Sequence, residues 1–424
     1  MSLTKVTYSM ISGAVFNVLD YGASPSATAA VNTAAINATI TAAVAAGGGT
    51  VYVPSGTYLT NAPIVVKTDI NLLGDGPFNS IIRKTAAYAG VSAGTISPSV
   101  PCRTFSVVGI GMESQDFGGN GFDFQDCAYF NIDNLSVTRD AGKGISIRQS
   151  FIGNVGTMYS TLCDWNFYFF GVQSVQFDYL YGSTPTTGSN NIGCEITACK
   201  TLSFNSLVTE GNGKYGLLVG AVTSNIVIQQ WYFETGTYTA GGVINALNMN
   251  GDVIGNSIQN FQIKSATVNC DGITTASPLI AVTNSVIGLV LENFRFSLGG
   301  AANYSTTPIS KFNINNTNAD ISGPRISNWT TVDATTGSAS TTWHVWFVDN
   351  TPDARIFNTI TTKANQYSQY DNTRILPDTN AFQLAGSPIT ASLVPKWIGD
   401  FCQDSVANRM YIANTTTAGD WTLI

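Results

Sequence analysis

A six-residue pattern that recurs along the chain restricts this sequence to a small set of folds. Each copy has apolar residues at its first and fourth positions, as in "FNSLVT" from Phe204 and "IQQWYF" from Ile228. The copies begin at Ile132, Val155, Phe177, Phe204, Ile228, Ile258, Leu291, Ile326 and Phe357. The first copies are about 22–27 residues apart, and further short alternating strands lie between them.

A period in the low twenties is typical of the coils of a β-solenoid, because one coil cannot bury its apolar side without stacking on its neighbours. Leucine-rich repeats share the period but need a Leu/Asn consensus, and a β-sandwich shows no repeat in register. The pattern therefore predicts an all-β fold, a right-handed single-stranded parallel β-helix, with equivalent residues about 4.8 Å apart. One interior column is predicted to contain Ile132, Val155, Phe177, Phe204, Ile228 and Ile258.

The N-terminal segment differs from the repeats. The stretch "NTAAINATITAAVAAGGG" has Ile36, Ile40 and Val44 at helical spacing and ends in glycines 47–49. It predicts a capping helix that covers the open edge of the first coil. Residues 91–121 break the repeat and predict a long insertion.

After about residue 376 the repeat ends, and short strands around Asn and Gly turns predict a small separate β-module. The chain is expected to divide into three parts. These are 1–90 for the N-terminal segment that enters and caps the β-helix, 91–375 for the β-helix body with insertion loops, and 376–424 for the C-terminal β-module with a trimer contact.

Charge and composition exclude several classes of function. Only 11% of the residues are charged, the net charge is −7, and no Lys/Arg run is present, which argues against nucleic acid as a partner. No apolar stretch reaches the roughly 18 residues that membrane insertion needs. The seven cysteines form no CxxC pair and are predicted to be reduced, mostly buried thiols. The single histidine, His344, has no partner motif, so no metal site and no cofactor are expected.

Two segments resemble a known family. "YSMISGAVFNVLDYGA" followed by "TAAINATITAAVAAGGGTVYVPSGTYLT", within residues 7–60, resembles the start of bacteriophage tailspikes and capsule depolymerases of the pectate-lyase-like β-helix superfamily. "WIGDFCQDSVANRMYIANTTTAGDW" is similar to terminal modules of phage tail fibres and spikes. The resemblance implies a homotrimer that binds or cleaves bacterial capsular polysaccharide or lipopolysaccharide. It also implies a place in the phage tail of the virion, beside other tail or baseplate proteins, after folding in the bacterial cytoplasm.

The chain also departs from the family's usual pattern. The loop "SPSATAAVN" after "YGA" has no Asp, so no metal is assigned to it. No Asp-Asp pair lies near a Gly-His-Gly, so pectin cleavage is not expected. No virion-attachment domain precedes Val6, which indicates a removed segment or attachment through another protein.

One column of the repeat contains the candidate chemistry. Its members, seventh in each copy, are Thr138, Thr161, Ser183, Glu210, Glu234, Lys264 and Ser297. Two carboxylates one strand apart repel each other, so one can hold a proton as a general acid while the other stays ionised. Glu210 and Glu234 are therefore the predicted catalytic pair of a glycosidase. A separation near 5 Å suits a retaining mechanism and about 6.5–9.5 Å an inverting one. The alternative is an exposed ladder of two Glu and Lys264 with no chemistry.

Two aspartates are the alternative catalytic partners if the register differs. Asp178 lies one coil before Asn205 and is expected to face the groove of Glu210, and Asp164 lies among Tyr159, Trp165, Phe167 and Tyr168. Aromatic rings and a cation suit sugar binding, because sugar C–H faces stack on rings. The predicted substrate-binding residues are Trp165, Tyr179, Tyr181, Tyr232 and Lys264. Trp231 and Phe204 occupy apolar positions and are expected in the core.

Three functions remain open from the sequence. The first is an endo-glycosidase that uses the carboxylate pair, and the acidic composition favours it. The second is a polysaccharide lyase on the same fold, with Lys264 or a tyrosine as the base beside a uronate. The third is a receptor-binding spike without catalysis, which needs the aromatic residues but no carboxylate pair.

Overall fold

The computed structural model describes residues 15–183, 191–234, 245–252, 256–270 and 278–297 with their side chains. Beyond residue 297 it describes only the backbone of the strands. No helix in these parts of the chain has the length and apolar character needed to cross a membrane.

Strands dominate the described chain, beside one long helix, α1 (Ala29–Ala45), and a 3-10 helix at Val18–Tyr21. The strands up to the middle of the chain are β1 Val15–Asn17, β2 Gly49–Val53, β3 Gly56–Thr60, β4 Ile64–Val66, β5 Ile70–Gly74, β6 Ser80–Lys84, β7 Val91–Ala93, β8 Thr95–Ile96, β9 Ser99–Val100, β10 Cys102–Arg103, β11 Ser106–Val108, β12 Gly111–Glu113, β13 Asn120–Gln125, β14 Cys127–Asp133, β15 Leu135–Thr138, β16 Lys143–Arg148, β17 Phe151–Thr161, β18 Trp165–Phe170, β19 Gln173–Ser183, β20 Ile192–Thr197 and β21 Lys200–Glu210. The later strands are β22 Tyr215–Gly220, β23 Ser224–Glu234, β24 Asn245–Asn250, β25 Ile258–Ile263, β26 Ala266–Cys270, β27 Ile280–Thr283, β28 Val286–Ile287, β29 Val290–Glu292, β30 Phe294–Leu298, β31 Ser310–Ile314, β32 Ile321–Ser327, β33 Thr330–Asp333, β34 Val345–Asp349, β35 Ile356–Ile360, β36 Ser368–Tyr370, β37 Leu376–Pro377, β38 Phe382–Leu384, β39 Phe401–Asp404, β40 Arg409–Ala413 and β41 Trp421–Leu423.

The strands form a parallel β-solenoid of about nine turns, as the repeat predicted. Each coil contributes one strand to a twelve-stranded sheet, here called the third face, which runs from β4 to β36. The rest of each coil lies in a larger sheet with two faces. The first face contains β5, β11 and β14, and the second face contains β6, β12 and β15. The eleven-residue strands β17, β19, β21 and β23 pass from the first face to the second without a break.

The capping helix is present and packs on the first coil. Thr28 caps its N-terminus by accepting a hydrogen bond from the Val31 amide, and Ile36 and Ile40 are buried as predicted. Val44 is not, since it is 44% exposed and Ala43 is buried in its place. The helix turns by about 100° per residue, so Ala43 returns to the face of Ile36 and Ile40 more closely than Val44 does.

The predicted interior column is correct for its first five members. Ile132, Val155, Phe177, Phe204 and Ile228 pair in register from coil to coil, and all are buried. The rings of Phe177 and Phe204 are nearly parallel, with centroids 4.4 Å apart.

The sixth predicted member of the column is wrong. Ile263, five residues later, pairs with Ile228, whereas Ile258 pairs with Val286 of the next coil. Strands β25 and β26 keep one register with β23, and the coil that ends at Ile263 is five residues longer than the predicted repeat. Ile258, Phe261 and Ile263 are all buried, so the longer coil leaves none of these apolar side chains exposed.

Residues 91–121 form a coil rather than the predicted insertion. β7 pairs with β4 and β13, β11 with β5 and β14, and β12 with β6 and β15. The excursion from this coil is the short antiparallel hairpin of β8 and β9. This coil's copy of the six-residue pattern is "VVGIGM" from Val107, which pairs with Ile132, and sequence reasoning overlooked it.

Strands β38 to β41 form a separate four-stranded sheet at the C-terminus, which agrees with the predicted β-module. The division of the chain into three domains and the trimer contact stay predictions. Six cysteines are free and buried as predicted, and burial raises the pKa of the Cys102 thiol to about 11. His344 and the side chain of Cys402 lie outside the described residues.

Candidate active site

Glu210 and Glu234 lie side by side on the second face, as predicted. They end β21 and β23 and are direct partners across these parallel strands. Side chains alternate along β23, so Trp231 and Phe233 are buried while Tyr232 and Glu234 point outward. Neighbouring strands are about 4.8 Å apart, so the two carboxylates face one region of solvent.

Each glutamate accepts a hydrogen bond from a tyrosine. The Tyr181 hydroxyl donates to Glu210 Oε2 at 2.7 Å, and the Tyr232 hydroxyl donates to Glu234 Oε2. The bond to Glu234 is the main cause that raises the pKa of Tyr232 to about 12. Burial, followed by the bond to Glu210, raises the pKa of Tyr181. Both phenols are therefore neutral donors near pH 7, and each holds one carboxylate in place.

Lys264 does not continue the column of the two glutamates, so its predicted position is wrong. Asn269 pairs with Glu234 instead, and Ser297 follows Asn269. The cause is the longer coil, which places Asn269, five residues after Lys264, opposite Glu234. Lys264 lies between β25 and β26, and its ammonium is 3.4 Å from Glu292 Oε2.

An aromatic surface adjoins the pair on its N-terminal side. Tyr159 lies with its ring centroid 6.2 Å from those of both Tyr179 and Tyr181, and 5.7 Å from that of Phe78. Phe78 is 68% exposed, although apolar rings are usually buried. Sequence reasoning did not identify Phe78, which lies in the turn between β5 and β6, before the first predicted repeat.

The two alternative aspartates occupy other positions of the coils than the glutamate pair, Asp178 next to Tyr179 on β19 and Asp164 before β18. Asp178 is exposed and accepts a hydrogen bond of 2.9 Å from the Asn205 side chain, in line with its predicted neighbour. Asp164 is exposed just before β18, where the chain enters the third face. The aromatic residues predicted around Asp164 do not lie together, because Tyr159 belongs to the second face and Phe167 is buried in the core. Trp165 belongs to the third face and donates a 3.0 Å hydrogen bond to Glu195.

A groove of about 1000 Å³ lies on the first face, and sequence reasoning missed it. A ladder of outward polar residues runs along its floor, one from each coil: Asn71, Ser106, Asn131, Asn154, Gln176 and Ser203. Among the residues described, no charged side chain lines this groove. The ladder is visible in the sequence only when the coils are aligned on the residue before each repeat. The glutamate pair is therefore on a different face from the groove.

Among the side chains described, no three Cys, His, Asp or Glu come together in a way that could hold a metal ion. The glutamate pair, its tyrosines and the neighbouring rings can bind a ligand with hydroxyl groups and apolar C–H faces. They can also exchange a proton with it, because a carboxylate pair can supply both an acid and a base.

Comparisons with known proteins agree with this architecture. The sequence model of a family described as "Rhamnogalacturonase A/epimerase, pectate lyase-like" matches residues 15–231. No curated protein sequence is significantly similar to the chain.

Two solved structures share the fold at low sequence identity. The first is a DFA-IIIase mutant from Arthrobacter chlorophenolicus A6 in complex with DFA-III, at 10% identity and a TM-score of 0.61. That match covers 85% of this chain and 99% of the other. The second is a mutant tailspike protein of E. coli bacteriophage HK620 in complex with a pentasaccharide, at 12% identity and a TM-score of 0.58. It covers 83% of this chain and 66% of the other.

Proposed function

This chain belongs to the rhamnogalacturonase A/epimerase family of pectate-lyase-like proteins, and we propose that it is a phage tailspike that depolymerises bacterial surface polysaccharide. The proposed substrate is a capsule or a lipopolysaccharide O-chain, cut within the chain by glycosidic hydrolysis. The observation that carries this proposal is the adjacent pair Glu210 and Glu234, each hydrogen-bonded by a tyrosine beside an aromatic surface.

The pair supplies the two groups that glycoside hydrolysis needs. One carboxylic acid protonates the leaving oxygen while the other carboxylate attacks the sugar or activates water. A single strand spacing is close to the roughly 5 Å of retaining enzymes, so we propose a retaining mechanism with a glycosyl-enzyme intermediate. Asp178 and Asp164 remain the alternative partners to be tested.

The aromatic surface supports a substrate that runs along the solenoid axis. Tyr159, Tyr179 and Tyr181 come from coils that precede Glu210, and Tyr232 lies at the pair itself. Rings on successive coils can stack successive sugars of a chain that lies along the solenoid axis, because their outer faces are partly exposed. An internal segment of the polysaccharide would then cross the pair, which fits endo-cleavage.

A lyase is less well supported by the same side chains. Its base would have to be Lys264 or a tyrosine, but the lysine pairs with Glu292 and lies off the column. The raised pKa values of Tyr181 and Tyr232 make both phenols poor at surrendering a proton near pH 7. The glutamate pair therefore favours hydrolysis over elimination at this site.

The role in the phage rests on the N-terminal and C-terminal resemblances and on the shared fold of a tailspike. We propose that the chain is a homotrimer in the virion tail, with the C-terminal β-module in the contact between subunits. Other tail or baseplate proteins would hold it on the particle. Light scattering of the purified protein tests the assembly, and a monomer at micromolar concentration would contradict it.

The catalytic proposal is tested by digesting a panel of bacterial capsules with the wild type and with Glu210→Gln and Glu234→Gln. Turnover is expected to fall by about 10²–10⁴-fold in each variant, because a general acid or base is lost, while polysaccharide binding persists. Glu113→Gln is the matched control. Glu113 lies in the same outward column, four coils before Glu210, and pairs with Arg83.

Product chemistry separates the remaining functions. New reducing ends without an absorbing double bond indicate hydrolysis, and an unsaturated uronate indicates a lyase. Wild-type turnover in both Gln variants would refute the pair and direct attention to Asp178→Asn and Asp164→Asn.

A second candidate function is binding without cleavage, and the uncharged groove on the first face favours it. Amide and hydroxyl side chains on successive coils can hydrogen-bond the hydroxyls of a neutral sugar chain. Binding that is lost on changing Asn154 and Gln176 to alanine, with no new reducing ends from any capsule, would favour this function.

A further inference from the structure

A second cluster of charged and aromatic side chains lies on the third face, on strands that carry none of the glutamate pair. Register brings Asp123, Ser146, Tyr168 and Glu195 into one outward row across β13, β16, β18 and β20. Lys143 and Arg148, at the two ends of β16, flank this row. The cluster therefore combines two cations, two carboxylates and aromatic rings within four coils.

Both carboxylates of the cluster are occupied by donors of the protein. Asp123 accepts hydrogen bonds from Arg148 Nη2 at 2.9 and 3.1 Å and from Gln125 Nε2 at 2.6 Å. Glu195 accepts hydrogen bonds from Trp165 Nε1 at 3.0 Å and from Thr197 Oγ1 at 3.2 Å. Both carboxylates favour the charged form of Lys143, but no ion pair joins either of them to its ammonium among the residues described.

Three donors of β16 remain without an acceptor among the residues described. The Lys143 ammonium makes no ion pair there and lies 4.3 Å from the ring centroid of Tyr168 and 5.2 Å from that of Trp165. The Ser146 hydroxyl and the Nε of Arg148 are buried and have no hydrogen-bond partner. Burial, and next to it Arg148, lowers the pKa of Lys143. A buried donor without a hydrogen-bond partner costs free energy. These donors therefore indicate a place where an acceptor of a ligand can bind.

A flat apolar surface adjoins these donors. The rings of Tyr168 and Phe170 are nearly parallel, at 3°, with centroids 6.5 Å apart. Phe170 pairs with Arg148 and is partly exposed. A sugar ring can lay its C–H face on such a surface.

We propose that this cluster is a second saccharide site, specific for a sugar that carries a carboxylate. The carboxylate would accept hydrogen bonds from Lys143 and from the unpartnered donors of β16, and the sugar ring would contact Tyr168 and Phe170. Hydrogen bonds between charged groups are the stronger ones, so the acid group is expected to dominate the affinity. The site needs no catalysis and stands independently of the glutamate pair.

The test measures binding of D-glucuronate by calorimetry or ligand-observed NMR, with D-glucose and inorganic phosphate as competitors. The wild type is expected to bind glucuronate, to ignore glucose and to bind phosphate more weakly. Lys143→Met is expected to weaken glucuronate binding at least about tenfold, because a charge-assisted hydrogen bond is lost. Ser146→Ala is expected to weaken it by a smaller factor.

Lys214→Met is the matched control, since Lys214 lies 5.2 Å from the ring centroid of Tyr215 but has no such cluster around it among the residues described. It is expected to bind glucuronate like the wild type, as is Glu210→Gln, which removes only the proposed hydrolysis. Equal binding in Lys143→Met and the wild type would overturn the proposal. So would equal affinity for phosphate and glucuronate, because the rings would then contribute nothing.

Discussion

The ion pair of Lys84 and Asp140 offers the sharpest test of how the N-terminal coils are held together. Both side chains are fully buried, and the ammonium is 2.9 Å from Asp140 Oδ2. Lys84 also donates to the Gly118 carbonyl at 3.2 Å, and the Ser114 hydroxyl donates to the same carboxylate oxygen at 2.6 Å. Asp140 Oδ1 is buried without a partner. Burial raises the pKa of Asp140, and Lys84 opposes that rise.

The perturbation is Lys84→Met, which keeps the length of the side chain and removes its charge. Asp140 would then be a buried carboxylate with Ser114 as its described side-chain donor, and breaking a buried pair in this way costs about 3–5 kcal/mol. An unfolding entropy of about 2 cal/mol/K per residue gives about 0.9 kcal/mol/K for a chain of this length that unfolds as one unit. The expected fall in Tm is therefore about 3–6 °C at pH 7.

Calorimetry at pH 7 and pH 5 tests the origin of this loss. Without Lys84 the folded pKa of Asp140 rises further above the unfolded value of about 3.9, so the folded state binds a proton that the unfolded state does not. The stability lost by Lys84→Met at pH 7 is therefore expected to be partly restored as the pH falls towards 5. The double variant with Asp140→Leu should recover most of the loss at both pH values. A deficit that is the same at both pH values, or a double variant no better than the single one, would refute the buried charge as its cause.

Two further predictions concern the site and the core. In a spectroscopic titration the pKa of Tyr232 should be about 12. In Glu234→Gln it should fall towards the ordinary value of about 10, because the bond to Glu234 is the main cause of the raised pKa. An unchanged pKa in this variant would contradict the hydrogen bond. Phe204→Ala should cost about 3–5 kcal/mol by denaturant unfolding, because its ring is fully buried against Phe177. Asn205→Ala, on the exposed side of the same strand, is the control and should change stability by less than about 1 kcal/mol.

The sequence predicted the interior wherever one long strand repeats without change. From Ile132 to Ile228 each copy offers one way to bury its apolar residues, because a slip by one position would turn them to solvent. The copy at Ile258 has a second solution, since Ile263 lies five residues later and is equally apolar. A pattern of apolar positions cannot separate these two registers, and Lys264 was misplaced for the same reason.

The candidate site was predictable to the extent that it follows the repeat. Glu210 and Glu234 lie at the same position of consecutive copies, so their contact follows from the period alone. The partner of Glu210, Tyr181, comes from the preceding coil, and its hydrogen bond depends on a side-chain reach that no pattern encodes. Phe78 could not be found, because it lies in a turn outside the repeat.

The solenoid also explains why three different surfaces coexist in one chain. Inward residues such as Phe177 and Phe204 carry the packing, so the outward residues are free to differ from face to face. The groove is uncharged, the second face presents paired glutamates, and the third face presents Lys143 beside aromatic rings. Because these outward columns are separated by the buried core, a change in one face leaves the contacts of the others intact. The proposed sites for neutral and for acidic sugars would then lie on separate faces of one solenoid.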